Sequence, residues 1–529
     1  MTFAYHFEAK GIQRFVLDGG RLKDLIGASE LVDCLCRWDG SDLLSGVLAS
    51  VGIGSEAAFS RRAGGGFVLH HNDGNKLREL QRLWTLVFCM HAPGLEFTDA
   101  LEEGGSDLEA ATRARDARAR RRNLEAEQLP LAGPFVLRSP RTGRAAVDYD
   151  GRDAEPIDRL TQRKRLFATS ENIAKRFEPD QGERLWPTNM DRDDAAKGTS
   201  VLFPFEPPDC RVVGIVHADG NGMGQMLGRL KAALGDKSDR YVNVFGEFSK
   251  TIEAVTCEAV RGATKTVLDP ARTEDCRMPA RPIVLGGDDV TVIVRADLAI
   301  DFATCFLKNF EALSADKLEN LPGLDRGTLK GMSAAAGIAF VGANQPYYLA
   351  YDLAEALCKK AKNGSRAKHV GDAPIPSSLA FHRITTSFVD DYDRILKAEL
   401  TAGNGNTALR LTIQPFGVAN ASPEVTLPSL TTLSELAKQV HAVGGGGGLR
   451  QIITLLSTDR SEAERAWRRW TRNIAERHQA NGAKKLMAIE DLLKQLVPGW
   501  NGQGVPTDKY KRTLLGDLVA LLEVQGGSR

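Results

Sequence analysis

Residues 282–295, PIVLGGDDVTVIVR, place two adjacent carboxylates at the tip of an apolar hairpin. Ile283, Val284 and Leu285 make one arm. Val290, Val292 and Val294, interleaved with Thr291 and Ile293, make the other. β-Branched residues at this density fit a buried, pleated strand. The pair Gly286–Gly287 is expected to supply the positive φ angles of a tight turn. Asp288 and Asp289 then sit side by side at the end of an apolar element. Carboxylates that close repel each other unless a cation lies between them. Glycine and aspartate are also ordinary turn residues. From the hairpin alone a solvated turn and a metal site both stand.

Upstream, residues 210–224 read CRVVGIVHADGNGMG. Val212, Val213, Ile215 and Val216 form a buried strand that ends on Asp219. Residues 220–224 turn into a helix. An acid at the carboxyl end of a strand can hold a divalent metal, and the free N–H groups of a helix start can cradle phosphate. The rival reading makes Asp219 a helix cap and the glycines a turn. A long helix around 241–261 precedes the hairpin. The helix 297–313, the strand 333–341 and the helix 347–361 come after it. That order is β-α-β-β-α-β, a ferredoxin-like layout in which the first strand and the central hairpin are neighbours. Asp219 would then meet Asp288 and Asp289, as in a two-metal nucleotidyl site.

Residues 1–100 repeat the strand–helix–hairpin layout, with the tip Gly64-Gly65-Gly66 lacking acids. Gly27-Ala28-Ser29 interrupts a helix with small residues and reads as close packing. Residues 113–122, RARDARARRR, are either a solvated helix face or a phosphate contact. The helix over 157–177 is basic too, and 179–198 reads as an exposed loop. From about 380 the chain reads as mostly helical. Its five-glycine run 444–448 is expected to be a mobile loop. Arg465, Arg468, Arg469 and Arg472 form a basic stripe beside Trp467 and Trp470, read first as side chains covering a core tryptophan.

A chain of 529 residues is too long for one core, and three or four domains are expected. A net charge of +1 announces no nucleic acid, so any such contact rests on local patches. The eight cysteines form no CxxC pair and read as buried thiols of a reducing compartment. Neither a signal peptide nor a membrane span is apparent, so a cytoplasmic protein is expected.

The arrangement resembles the large palm subunit of type III CRISPR effector complexes, which makes cyclic oligoadenylates. Residues 219–224 resemble that family's first-strand acid and Gly-rich turn, and 286–289 match its GGDD motif. Residues 337–368 resemble its last palm strand, a Pro-initiated helix and an AK-rich end. Diguanylate cyclases share a distant version of that helix. Residues 377–383 resemble the family's segment immediately C-terminal to the second palm. Residues 11–31 and the acid-less tip look like a first, non-catalytic palm.

The resemblance implies that Asp219, Asp288 and Asp289 carry two Mg²⁺ or Mn²⁺ ions. Asp289 falls where diguanylate cyclases place a metal-binding glutamate. Asn221, Gly222, Met223, Gly224, Gly286 and Gly287 would line a nucleotide. Lys362 and Lys368 would contact its triphosphate. Ser29 and Gly65 would line a second pocket between the palms. Three departures stand out. The chain starts at the first palm without an HD nuclease domain, so no DNase activity is expected. Residues 105–200 contain no cysteine for a zinc site. One acid stands in the first-strand motif where a second often follows.

The expected fold is therefore α+β. It comprises a non-catalytic palm (1–104), a basic insert (105–204), a GGDD palm (205–378) and a helical domain (379–529). The expected activity is metal-dependent synthesis of cyclic or linear oligoadenylates from ATP or another NTP, by attack of a 3′-hydroxyl on an α-phosphate. A non-catalytic nucleotide- or RNA-binding scaffold and a homodimeric dinucleotide cyclase are the alternatives. RNA and CRISPR effector subunits are expected partners of the basic insert and the C-terminal helices. No membrane contact is expected, and a homo-oligomer is left open.

Overall fold

The computed structural model describes residues 1–18, 21–54, 56–121, 132–150, 154–178, 182–190, 201–205, 211–235, 240–369, 375–384, 391–403, 405, 408–418, 427–477 and 481–525. Of the loop expected to be exposed at 179–198 the structure describes 182–190, where Trp186 and Met190 are buried; Arg122 and Cys210 lie outside the described residues.

The first sheet is built from β1 (Thr2–Lys10), β2 (Ala58–Ala63), β3 (Gly66–His71) and β4 (Glu96–Gly104). Its order is β2-β3-β1-β4, antiparallel throughout. With helices between β1 and β2 and between β3 and β4, this is the ferredoxin-like order. Alternation along β1 sends Tyr5 and Phe7 to one face, where Phe7 packs edge-on against Phe88 at 5.0 Å and Trp84 at 5.4 Å. The other face is covered by the helix Asp107–Arg120, which rests on β4 and β1 through buried Ala110, Ala111, Ala114 and Ala117. Small residues let this helix lie close. A Cβ on Gly104 would meet the Ala110 nitrogen at 2.5 Å. The arginine-rich helix assigned to the insert by sequence thus packs on the first sheet.

β5 (Ala146–Asp150) and β6 (Glu155–Asp158) form a separate ribbon followed by the helices Arg159–Phe167 and Asn172–Phe177. The basic residues here are clamps on the first unit. Lys164 is buried and donates to the Phe15 and Asp18 carbonyls, and Arg165 bridges Asp24 and Asp150. A Cβ on Gly27 would lie 1.8 Å from the Lys164 carbonyl oxygen, so the small-residue break in the helix Leu22–Asp33 is a close-packing point.

The second sheet repeats the layout. β7 (Val212–Gly220), β8 (Ala280–Gly286), β9 (Asp289–Arg295) and β10 (Ala334–Gly342) pair antiparallel in the order β10-β7-β9-β8. The helices Met223–Leu234 and Tyr241–Ala263 lie between β7 and β8. The helix Ala296–Glu319 links β9 to β10. The helix Tyr347–Lys368 packs onto β10 so closely that a Cβ on Gly337 would meet the Ala354 carbonyl oxygen at 2.0 Å. It leads to β11 (Ser378–Arg383), which joins the sheet parallel to β10. The expected boundary at 378 therefore cuts through a strand of this sheet. Further on are β12 (Thr401–Ala402), β13 (Leu409–Arg410) and β14 (Phe416–Gly417), the last pairing with β11.

The C-terminal helices are Leu430–Ala442, Gly446–Thr458, Arg460–Arg477, Gly482–Leu496 and Leu515–Gln525. The five-glycine run is not a mobile loop. Gly444, at φ +64°, ends one helix, and the next begins at Gly446. Trp470 donates its indole N–H to the Gly445 carbonyl at 3.0 Å, and a Cβ on Gly448 would lie 2.4 Å from its ring. Glycine is used there to seat a tryptophan. Arg465, Arg468, Arg469 and Arg472 are exposed while Trp467 and Trp470 are buried, and Glu462 pairs with Arg465 and Arg469.

The two sheet units meet along several contacts. The helix Tyr241–Ala263 lies against β2, where a Cβ on Gly246 would be 2.6 Å from the Phe59 carbonyl oxygen. Ser29 donates its hydroxyl to the Ile283 carbonyl. The two glycine tips abut, with the Cβ direction of Gly286 only 3.5 Å from the Gly64 Cα.

Candidate metal centre and inter-palm cavities

β7 and β9 are neighbours, so Asp219 near the end of one and Asp289 at the start of the other share one end of the sheet. Gly286 pairs with Asp289, leaving Gly287 and Asp288 as a two-residue turn. Only Gly287 has positive φ, +60°, where both glycines were expected in that conformation. That is the pattern of a type II′ turn. The acid-less tip instead has Gly64 at +61° and Gly65 at +76°, the type I′ pattern. The difference has a chemical use: a non-glycine residue fits the second turn position, and that residue is Asp288.

One carboxylate oxygen from each of Asp219, Asp288 and Asp289 lies within 4.8 Å of the other two. Among the described residues no other group of three or more His, Cys, Asp or Glu is so placed. Burial, and then the Asp219 charge, push the Asp288 carboxyl above the usual range. The same two causes, followed by the Asp288 charge, push Asp289 well above it. Three acids held this way cost stability in a metal-free protein. Hard carboxylate oxygens at this spacing fit a hard divalent cation such as Mg²⁺ or Mn²⁺.

Other residues, inside and outside the motifs, build this cluster. Gly220 lets Asp288 approach β7, since a Cβ there would lie 2.5 Å from its Oδ2. Thr256, buried on the helix Tyr241–Ala263, donates to the Gly287 carbonyl at 2.8 Å and pins the turn. His217 is buried behind Asp219, 3.1 Å from the Thr291 hydroxyl and edge-on to Tyr351 at 5.2 Å. Burial lowers its pKa to about 4 and keeps it neutral. A lone threonine in a helix and a histidine in a strand carry no motif signal.

The predicted nucleotide residues divide. Gly222 has φ +78° and precedes the helix Met223–Leu234. Met223, Gly224, Gly286, Gly287, Asp288 and Asp289 line a cavity of about 720 Å³. Ser29, Gly65, Gly286 and Asp289 line a second of about 290 Å³ on the other side of the abutting tips. Asn221 lines neither. It is buried, its amide donating to Ser333 Oγ at 3.0 Å and its backbone N–H to the Ser333 carbonyl at 2.8 Å. Lys362 bonds the Asp219 carboxylate and donates to the Gly220 carbonyl at 2.9 Å. Lys368 is exposed at the helix end. Six residues on from Lys362, it lies about 240° round the helix and about 9 Å along it, away from the cluster. In the arginine run, Arg113 pairs with Glu109, Arg118 with Glu8 and Arg121 with Asp99, and Arg115 and Arg118 also face the larger cavity.

Residues 212–370 match the family model for the second palm domain of Cas10/Cmr2. The chain thus contains a domain similar to the Cas10/Cmr2 second palm. Its overall fold is similar to a solved Csm1 from T. onnurineus, at 14% identity and TM-score 0.53, over 98% of this chain and 69% of that one. It also aligns with a Csm1–Csm4 cassette in complex with cA4, at 16% identity and TM-score 0.41, over 68% of this chain and 53% of that one. A third alignment is with a Csm1–Csm4 cassette in complex with one ATP, at 13% identity and TM-score 0.47, over 100% of this chain and 70% of that one. The chain thus spans about half the length, 53%, of the Csm1 chain in the cA4 complex. No curated protein matches it in sequence. Among the described residues no helix is long and apolar enough to cross a membrane.

Proposed function

We propose that the chain is a metal-dependent nucleotidyltransferase that joins adenylates, or other nucleotides, into cyclic or linear oligonucleotides. The observation that carries this is the convergence of Asp219, Asp288 and Asp289 from two adjacent strands, with oxygens within 4.8 Å, at the boundary of two cavities. The larger cavity holds one nucleotide and the smaller, lined by Ser29 and Gly65, holds another. Asp289 and Gly286 face both and Asp288 faces the larger, so these two acids lie where the two nucleotides meet, with Asp219 beside them on β7.

Asp219, Asp288 and Asp289 would hold Mg²⁺ or Mn²⁺, which when bound supplies charge stabilisation to the reacting phosphate and lowers the pKa of the attacking hydroxyl. The residues of the chain do the positioning. The N–H groups at the start of the helix Met223–Leu234 meet the phosphates. Gly286 and Gly287 admit the nucleotide without side-chain obstruction. Lys362 holds Asp219 while the acids carry no ion. The reaction is attack of a 3′-hydroxyl on a neighbouring α-phosphate with pyrophosphate leaving, and it needs alignment more than a dedicated base. The likeness to Cas10/Cmr2 supports this reading, as do solved Csm1–Csm4 cassettes named as complexes with cA4, cA3 and ATP. By the same likeness, partner subunits and RNA would dock on the basic C-terminal helices.

The test is incubation of the purified protein with each NTP and Mg²⁺ or Mn²⁺, with and without RNA, and product analysis by mass spectrometry. The variant Asp288→Ala/Asp289→Ala should make no oligonucleotide. Pyrophosphate release that survives this variant would refute the site.

A further inference from the structure

His6 lies on the cavity face of β1, directly opposite Val68 of β3, and lines the cavity of about 720 Å³ that Asp288 and Asp289 also line. It is 6% exposed, and neither ring nitrogen has a hydrogen-bond partner among the described residues. Burial, then the charges of Arg118 and Arg61, lower its pKa to about 3. The ring is therefore neutral, with one N–H donor and one bare acceptor nitrogen. Buried polar atoms are nearly always paired, and an orphan pair costs stability. A ligand in the cavity that His6 lines would complete this pair.

The surroundings select the ligand. Tyr241, Phe245 and Phe248 on the helix Tyr241–Ala263 give the cavity an aromatic wall, with the Tyr241 and Phe245 rings 4.5 Å apart and inclined at 43°. Lys10, Arg61 and Arg118 share the single Glu8 carboxylate, so this end stays positive, but a phosphate offers no donor to the bare acceptor nitrogen of the neutral His6. An uncharged planar group carrying both a donor and an acceptor fits this end better than a phosphate. His6 is two residues along β1 from Glu8, which pairs with Gly66 at the base of the glycine tip, so it is set back from the level of Gly66 by about 7 Å along the sheet. We infer that His6 reads the hydrogen-bonding edge of a nucleobase held at the far end of the larger cavity. This rests on the proposal that the cavity holds a nucleotide. A site that hydrogen-bonds its substrate discriminates strongly, because a mismatched ligand leaves its polar atoms unpaired.

The experiment is calorimetric titration of the full chain with the α,β-methylene triphosphates of adenosine, guanosine, cytidine and uridine in the presence of Mn²⁺. Mn²⁺ alone and inorganic triphosphate are titrated in parallel. The wild type is expected to separate its best and worst bases by tenfold or more. His6→Leu should compress that ratio below threefold and leave Mn²⁺ and triphosphate affinities unchanged. Its ligand-free Tm should be equal to or above the wild type's. A wild-type ratio retained in His6→Leu overturns the assignment of His6 while leaving the nucleotide site standing. Failure of the wild type to bind any of the four nucleotides overturns both. Should His6→Leu also lose Mn²⁺ binding, His6→Gln decides: a changed order of base preference supports the assignment, and an unchanged one overturns it.

Discussion

Gly220→Ala tests how closely the acid cluster is built. The added Cβ would stand 2.5 Å from Asp288 Oδ2 and 3.0 Å from Asp288 Cβ, and the three nearest atoms all belong to Asp288. Ordinary contact begins near 3.4 Å, so the carboxylate must retreat by about 0.9 Å. Gly220 does not have a positive φ, and the backbone accepts alanine. The perturbation is therefore confined to one carboxylate. Mg²⁺ requires oxygens at about 2.0–2.1 Å in near-ideal geometry. A displacement on the order of 1 Å costs about 100-fold in rate, or roughly 2.7 kcal/mol. Gly224→Ala is the control, since no atom lies within 4 Å of its Cβ direction and its φ is not positive. The assay is Mn²⁺ binding followed by electron paramagnetic resonance, with nucleotide turnover measured in parallel. Gly220→Ala should weaken both by about two orders of magnitude, whereas Gly224→Ala, which touches the nucleotide cavity but not the acids, should match the wild type in Mn²⁺ affinity. Mn²⁺ affinity and turnover within threefold of wild type for Gly220→Ala would refute the geometry.

Asp288 and Asp289 have carboxyl pKa values raised by burial and by Asp219, so they favour folding fully in acid and cost stability as pH rises through their folded pKa values. The metal-free Tm of Asp289→Asn should therefore equal the wild type's near pH 3 and exceed it increasingly toward pH 8, as measured by scanning calorimetry. For the same reason Mn²⁺ binding should release protons and tighten with pH, which calorimetry in two buffers of different ionisation enthalpy will show. Lys362→Met removes the partner of Asp219, so the metal-free Tm should fall and the rise in Tm on adding Mn²⁺ should exceed the wild type's. Gly448→Ala drives a methyl to 2.4 Å from the Trp470 ring and should cost roughly 1–3 kcal/mol by chemical denaturation. Gly447→Ala, with no atom within 4 Å, should be neutral or stabilising.

The acid cluster was legible because each part leaves a local mark. β-Branched runs ending in Asp219 and in Gly286–Asp289 announce strand ends, and helical spacing between them sets the β-α-β-β-α-β order that makes those ends neighbours. The features that escaped the sequence are non-local. Lys362 meets Asp219 across 143 positions of chain, and nothing in either segment marks the pairing. Thr256 acts through a contact with the turn and does not stand out from its neighbours, and Gly220, though part of the Gly-rich motif, carries no local mark of its packing against Asp288. Asn221 occupies a motif position yet spends its amide on Ser333, 112 residues away. The glycine run at 444–448 misled because flexibility is the default meaning of glycine, whereas here its missing side chains seat Trp470. The alanines of the helix Asp107–Arg120 hide its attachment to the first sheet, because charge dominates its composition while small residues make its contact.

The decisive measurement is mass-spectrometric detection of product from purified chain, ATP and Mg²⁺ or Mn²⁺, with and without RNA. Oligoadenylate and an equivalent yield of pyrophosphate are expected from the wild type, and neither from Asp288→Ala/Asp289→Ala. Pyrophosphate and oligonucleotide from the double variant at the wild-type rate would contradict the assignment of the acids as the metal centre.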